Sequence, residues 1–420
     1  MSQTRTELRT SHDRPTILTL FLCALLILLC YLPLGCAVSP SSASSPLQKQ
    51  QTAASTGILP AQFFGLVVRD PAAQPSVAAG SRRLADSGVS WAAIEPAQGV
   101  FVWAMLDQEV AIARQSGVQL MLTLGSTPTW AQSANSSMPA QLSAWDAYVQ
   151  AVATRYRGQI TAYELWNSPE DPANWSGDPA QLPAALATLA AHAASVLAAT
   201  DPSAQLVSPV LSISALQQFL ASGGGVSVQI IGASLITAGQ PPEAMAALLQ
   251  SIHAATVGTA ADGKPVWNDQ PSWQLAANAA DPATQAMWVA RALILNAGFG
   301  VQRLHWYAWD NHTPGTLTLT DTDGQPTVAA LAYATVQTWL QGAQLNGCDA
   351  SPNGLWTCQI VRPGPATQAT QTTQWILWSP GSSIQASALG AAKVTDLSGN
   401  QTTVDASGMI SVGPSPILLQ

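Results

Sequence analysis

Thr161-Ala162-Tyr163-Glu164-Leu165-Trp166-Asn167-Ser168-Pro169-Glu170 reads as a strand of mixed apolar residues that runs out into a polar loop, with Pro169 closing off any continuation. About a hundred residues on, Lys264-Pro265-Val266-Trp267-Asn268-Asp269-Gln270-Pro271-Ser272-Trp273 repeats the same design. Working outward from these two stretches, apolar runs of strand length alternate with Ala-rich runs of helix length, the pattern that builds a parallel sheet. The expected strands are Gln62 to Val68, Val89 to Ile94, Gln119 to Leu124, Thr161 to Trp166, Gln205 to Val210, Val226 to Ala233, Pro265 to Gln270 and Arg303 to Trp309. Between them the spacing predicts helices over Met105 to Ser116, Ala140 to Arg155, Leu182 to Ala199, Pro242 to Thr256, Pro282 to Asn296 and Val328 to Leu340. Eight such strands favour an α/β fold of the closed (β/α)8, or TIM, barrel type. An open doubly wound sheet would carry a glycine-rich phosphate loop after its first strand, and Gly65-Leu66-Val67-Val68-Arg69 is no such loop.

Past Leu340 the helical period stops. Leu355 to Val361, Thr373 to Trp378, Lys393 to Leu397 and Met409 to Val412 are short strand-like runs divided by Gly, Pro, Ser and Asn, as in a small antiparallel β domain. The expected organisation is a signal or anchor segment over 1–38, a flexible linker over 39–58, the barrel over 59–343 and the β domain over 344–420.

The first segment has the layout of an export signal, with Arg5, Arg9 and Arg14 ahead of an uncharged run from Ile17 to Leu34. Leu32-Pro33-Leu34-Gly35-Cys36-Ala37 resembles a bacterial lipobox, which makes Cys36 a candidate for lipidation; cleavage nearby and an uncleaved anchor are the alternatives. Each places the body of the protein outside the cytoplasm, with membrane contact through this segment only. Cys348 and Cys358 are then the two cysteines of the mature body, and in an exported chain they are expected to form a disulfide. With 9% charged residues and a net charge of -8, the chain has no basic field to hold nucleic acid, so a neutral ligand fits better. No metal-binding spacing, nucleotide loop or esterase elbow occurs, and neither metal nor cofactor is expected.

The two opening stretches resemble the Trp-Asn-Glu-Pro acid/base strand and the nucleophile strand of retaining glycoside hydrolases with (β/α)8 barrels. Further matches are Trp91-Ala92-Ala93-Ile94-Glu95-Pro96, Leu122 to Ala131 and Arg303 to Asp310, closest to family thirty-nine enzymes of the β-xylosidase and exopolysaccharide endoglycosidase type. The resemblance puts Ser168 at the acid/base position and Gln270 at the nucleophile position. Retaining hydrolysis needs a carboxylic acid and a carboxylate roughly 5 Å apart, and neither an alcohol nor an amide can take those parts. The resemblance therefore implies a poly- or oligosaccharide ligand held without retaining cleavage. Asn167 would bind a sugar hydroxyl beside Ser168 and Gln270, and Trp130, Trp273, Trp306 and Trp309 would supply stacking faces.

Two alternatives stand beside this reading. One is an active glycosidase with relocated carboxylates, using Glu170 in the loop after Ser168 together with Asp269. Strand alternation turns Asp269 toward the helices if Gln270 faces the pocket, unless a bulge intervenes. The other is a structural surface protein that keeps the barrel as a scaffold.

Overall fold

The computed structural model describes residues 57–237, 239–273, 281–310, 316–364 and 371–420. The candidate lipidation site Cys36, the export segment and all but the last two residues of the 39–58 linker lie outside the described residues.

Eight parallel strands form the barrel: β1 (Phe64–Val67), β2 (Ser81–Leu84), β3 (Gln119–Leu124), β4 (Ile160–Leu165), β5 (Gln205–Val207), β6 (Ile231–Ala233), β7 (Val266–Asn268) and β8 (Arg303–Trp306). They neighbour one another in the order β5-β4-β3-β2-β1-β8-β7-β6. The ring closes between β5 and β6 through the parallel bridge of Val207 with Ile230 and the Ser208 N–H, which donates to the Ile230 carbonyl at 2.9 Å. Seven helices follow seven of the strands: α1 (Ala104–Ser116), α2 (Leu142–Arg155), α3 (Leu182–Thr200), α4 (Ile213–Ala221), α5 (Met245–Thr256), α6 (Pro282–Gly298) and α7 (Val328–Leu340). Local chemistry sets their ends. Ser212, Asp281 and Thr327 cap α4, α6 and α7 by accepting from backbone N–H groups, and Gly117 ends α1 in the left-handed conformation.

Two expectations for the strands need correction. Val89 to Ile94 is not the second strand; Trp91–Ile94 is a single helical turn capped by Ser90, and the strand is the charged stretch Ser81–Leu84. Arg82 and Arg83 concealed it, because a strand with two arginines does not read as a buried one. Each arginine is matched by a carboxylate: Arg82 by Glu109 of α1 at 3.2 Å, on the helix side, and Arg83 by Glu164 of β4 at 2.7 Å, inside the barrel. The first two residues of the expected sixth strand, Val226 and Ser227, belong likewise to the helical turn Gly224–Ser227, and the strand begins only at Ile231.

Inward side chains Met121, Ala162, Val207, Ile230 and Trp267 make one apolar plug within the barrel. The opposite strand faces, including Leu120, Leu122, Tyr163 and Leu304, join the larger core under the helices. Pro179–Thr200 is long and apolar enough to cross a bilayer, yet its Leu186, Leu189 and Ala190 are fully buried in that same core.

After α7 comes the antiparallel β domain. Its main sheet orders as β9 (Gln344–Ala350), β10 (Trp356–Pro363), β11 (Gln371–Trp378), β16 (Ile417–Leu419), β13 (Lys393–Thr395) and β14 (Gln401–Thr403), while β12 (Ile384–Ser387) pairs with β15 (Met409–Val412). Cys348 and Cys358 are directly opposite on β9 and β10 and are joined by a disulfide with a Cα separation of 4.1 Å. The domain shares its core with the barrel. Trp378 donates to Glu243 at 2.7 Å, Arg291 of α6 donates to the Pro414 carbonyl, and a Cβ on Gly298 of α6 would fall 2.5 Å from Cys348 Sγ, so only glycine admits this approach.

Candidate functional site

The site lies at the C-terminal ends of the barrel strands, and its floor is polar. Side chains of β2, β3, β4, β7 and β8 that alternate inward place Arg83, Thr123, Glu164, Asp269 and His305 just above the apolar plug. Glu164 accepts from Arg83 Nε at 2.8 Å and from Thr123 Oγ1 at 2.6 Å. Asp269 is bonded to His305 Nδ1 at 2.9 Å. Gly65 on β1 makes room for the imidazole, since a Cβ there would lie 2.5 Å from His305 Cδ2. All of these except Thr123 are sealed from solvent or nearly so, and among the described residues Arg83 Nη1, Glu164 Oε1, Asp269 Oδ2 and His305 Nε2 have no hydrogen-bond partner.

Burial dominates their titration. It pushes both Glu164 and Asp269 above the usual carboxylate range; Arg83 draws each part of the way back, and the nearby Asp269 charge lifts Glu164 further. Burial, with Arg303 and Arg83 adding repulsion, holds His305 well below its ordinary value.

Above the floor, the chain leaving β4 twists sharply. Trp166 and Ser168 both take left-handed backbone conformations, with φ of 59° and 40°, which cost non-glycine residues about 1 to 3 kcal/mol each. The twist delivers Asn167 and Ser168 to the mouth. Asn167 Oδ1 accepts from Arg83 Nη2 at 2.9 Å, and its Nδ2 donates to Asp86 Oδ1 at 3.0 Å. The other oxygen of Asp86 accepts from the Tyr307 hydroxyl at 2.7 Å. Ser168 Oγ donates to Gln270 Oε1 at 3.1 Å, so the ends of β4 and β7 meet across the mouth through an alcohol and an amide.

The structure brings together Asn167, Ser168 and Gln270, with Asp269 beneath them. Asp269 does not turn toward the helices. Asn268 takes that direction, donating to Asn296 of α6 at 3.0 Å, and Asp269 is the next inward residue. Alternation holds through Asp269 and lapses at Gln270, where the strand has ended. Glu170 stays apart from this group: it is exposed and accepts from the Ser212 hydroxyl at 2.7 Å and the Ser212 N–H, at the start of α4. The pairing of Glu170 with Asp269 in one pocket is thus corrected, because one carboxylate is sealed in the barrel and the other is held at a helix end.

Three of the four tryptophans are corrected as well. Trp273 and Trp306 are 0% exposed and Trp309 is 2% exposed, so none offers an open face. Trp273 and Trp306 stack on each other with centroids 5.6 Å apart. Trp130, in the loop after β3, is half-buried and donates to the Glu95 carbonyl at 2.9 Å. Arg83, Asp86, His305 and Tyr307 escaped the sequence reading. The adjacent pair Arg82-Arg83, in a chain with only 9% charged residues, was the signal for Arg83, whereas nothing local distinguishes Asp86 from any loop aspartate.

The model of glycosyl hydrolase family 10 matches residues 84–178, from the end of β2 to the loop before α3. No curated protein matches the chain in sequence. Among solved structures, a family 39 glycoside hydrolase from the gut symbiont Bacteroides cellulosilyticus WH2 is similar at 17% identity and TM-score 0.68, over 86% of this chain and 81% of that one. A family 39 enzyme from Xanthomonas axonopodis pv. citri is similar at 14% identity and TM-score 0.56, over 91% and 99% respectively. A family 30 endoxylanase from Clostridium papyrosolvens C71 follows at 12% identity and TM-score 0.58, over 88% and 97%. In fold, and in the family 10 match around β2 to β4, this chain is similar to the (β/α)8-barrel glycoside hydrolases.

Proposed function

We propose that this protein holds a neutral poly- or oligosaccharide at the barrel mouth and does not cleave it by the retaining route. The observation that carries the reading is the contact between Ser168 and Gln270. At the two strand ends where glycosidic chemistry would need a proton donor and an attacking carboxylate, an alcohol faces an amide. Both side chains suit hydrogen bonding to sugar hydroxyls. The ionic groups around them are already engaged, Arg83 in an ion pair with Glu164 and Asp86 in hydrogen bonds from Asn167 and Tyr307, which favours a neutral ligand over an ionic one. The similarity to glycoside hydrolases supports carbohydrate as the ligand class. We further propose that residues 1–38 export the protein and tether it to a membrane, through Cys36 or through the apolar run itself, with the 39–58 segment as spacer and Cys348 and Cys358 bonded in the oxidising compartment beyond.

The test is a glycan array probed with the purified protein, followed by a reducing-end assay on every polymer that binds. Saturable binding with no release of reducing ends is the expected result. Release that disappears in Asp86→Asn or Asp269→Asn would overturn the reading in favour of an active glycosidase with relocated carboxylates.

A further inference from the structure

A groove of about 880 Å3 lies between α2 and the loop before α1, and Asn167, Ser168 and Gln270 of the mouth are not among its lining residues. One wall is the loop from Glu95 to Trp103 that precedes α1; the other is the outer face of α2, where Gln141, Ala144, Ala147 and Ala151 recur at helical spacing. The 14 residues of α2 make that wall about 21 Å long at ~1.5 Å per residue. Its aromatic surface is already ordered. Phe101 stacks on Trp103, with centroids 4.9 Å apart and planes 5° from each other, and the Arg155 guanidinium lies over the Trp103 ring, so the aromatic surface left to the groove is that of the half-buried Phe101 and Trp130.

The polar groups point to the occupant. Exposed amides of Gln98, Gln141 and Gln150 line the groove, while its ionic groups are spent within the protein. The Arg155 guanidinium sits 5.1 Å from the Trp103 ring centre and grips Asp107 through two bonds of 3.0 and 2.7 Å. Glu95 accepts from the Trp91 indole and from the Gly99 N–H, each at 2.8 Å. Flat rings fixed in place, amides that both donate and accept, and a buried Glu95 whose oxygens are already hydrogen-bonded match a pyranose chain, which alternates apolar C–H faces with neutral hydroxyls. An acidic or basic partner would have to compete with the Arg155–Asp107 ion pair.

We infer that this groove is a second binding site for a neutral oligosaccharide chain, separate from the mouth. Only the ligand class is shared with the reading of the mouth, and the two sites are separable by mutation. Cellohexaose and xylohexaose serve as probes in calorimetric titrations of the full chain. Ala147→Trp fills the groove from an exposed position on α2 without touching the core, and Asn167→Ala disables the mouth.

The expected stoichiometry is two for the unmodified protein, one for either variant and none for the double variant. If Ala147→Trp leaves the stoichiometry unchanged, or if Asn167→Ala abolishes all binding, the groove is not a sugar site and the inference fails while the mouth reading stands. If Ala147→Trp alone abolishes binding, the mouth reading fails and the groove remains. Sedimentation of both forms closes the last route: a dimer that Ala147→Trp dissociates would make the groove a protein interface and overturn the inference. Gln150→Ala, which removes an amide and adds no bulk, should weaken the groove site while leaving the mouth affinity unchanged.

Discussion

Ser168 Oγ donates to Gln270 Oε1 at 3.1 Å, joining the ends of the fourth and seventh barrel strands across the mouth. A ligand hydroxyl entering there must replace that bond with two of its own. Ser168→Ala and Gln270→Ala should each weaken glycan binding by about 0.5 to 1.5 kcal/mol, the usual net value of a neutral hydrogen bond, with melting temperature nearly unchanged. Titration of each variant with the best array ligand checks this, and undiminished affinity in both would exclude the mouth as the binding site.

Paired glutamates should restore what the alcohol and amide lack. In Ser168→Glu/Gln270→Glu, turnover of an aryl glycoside is expected to exceed that of either single variant by ~10²- to 10⁴-fold, the typical worth of a positioned proton donor. A chromogenic assay across the three proteins measures it, and equal rates would mean that the two positions do not flank a glycosidic oxygen.

Glu164 is the counter-charge for Arg83, and both are sealed inside the barrel. Glu164→Gln leaves that guanidinium without its anion and loosens its hold on Asn167. The expected loss is about 3 to 5 kcal/mol of stability, as for other buried pairs broken from one side. Urea unfolding at pH 8 to 9, above the Glu164 carboxyl that burial pushes up to about 7, reads the change by tryptophan fluorescence, and a variant as stable as the parent there would show that Asp269 and Asp86 suffice to neutralise Arg83.

Burial raises the Asp269 carboxyl, whereas its unfolded value is about 3.9. The native state therefore keeps this proton over a pH range in which the unfolded chain has released it. The resulting stabilisation is complete below the unfolded value and is lost as pH rises through the folded one. Glu164 acts in the same direction; His305, held low, acts oppositely and penalises the native state as pH falls below about 6.5. Arg83 and Arg303, the cations facing Asp269, moderate its shift without changing its sign. The stability of the parent relative to Asp269→Asn should thus decline between pH 4 and neutrality, and thermal melts at half-unit intervals would expose a flat or rising difference as the contrary result.

Cys348 and Cys358 close a loop with a sequence separation of 10 at the junction of barrel and β domain. Their loss in Cys348→Ser/Cys358→Ser should cost about 2 to 3 kcal/mol by loop-closure entropy. Because Cys348 packs on Gly298 of the last-but-one barrel helix, hydrogen exchange should quicken in β9, β10 and α6 together; acceleration confined to the hairpin would indicate that the two domains are not coupled there.

Much of the barrel was legible in the chain because its evidence is local. An apolar run of four to six residues followed by an Ala-rich amphipathic run needs no knowledge of the rest, and Val328–Leu340 is a helix over the span its periodicity predicts. Asn167, Ser168 and Gln270 were legible too, since a residue just past a barrel strand comes to the same end of the molecule wherever that strand sits in the ring. Three things needed the tertiary structure. The second strand was concealed because its two arginines look solvent-bound until Glu109 and Glu164 arrive from elsewhere to pair with them. Asp269 was turned the wrong way because facing depends on where a strand stops, and one residue of error reverses it. Trp273, Trp306 and Trp309 were assigned to the ligand because exposure is decided by what lies on top of a ring, which no single stretch of sequence contains. Local periodicity sets the elements and the end of the barrel where the polar residues gather; only their closure into a ring decides which of those residues meet, since that depends on contacts between segments a hundred or more positions apart.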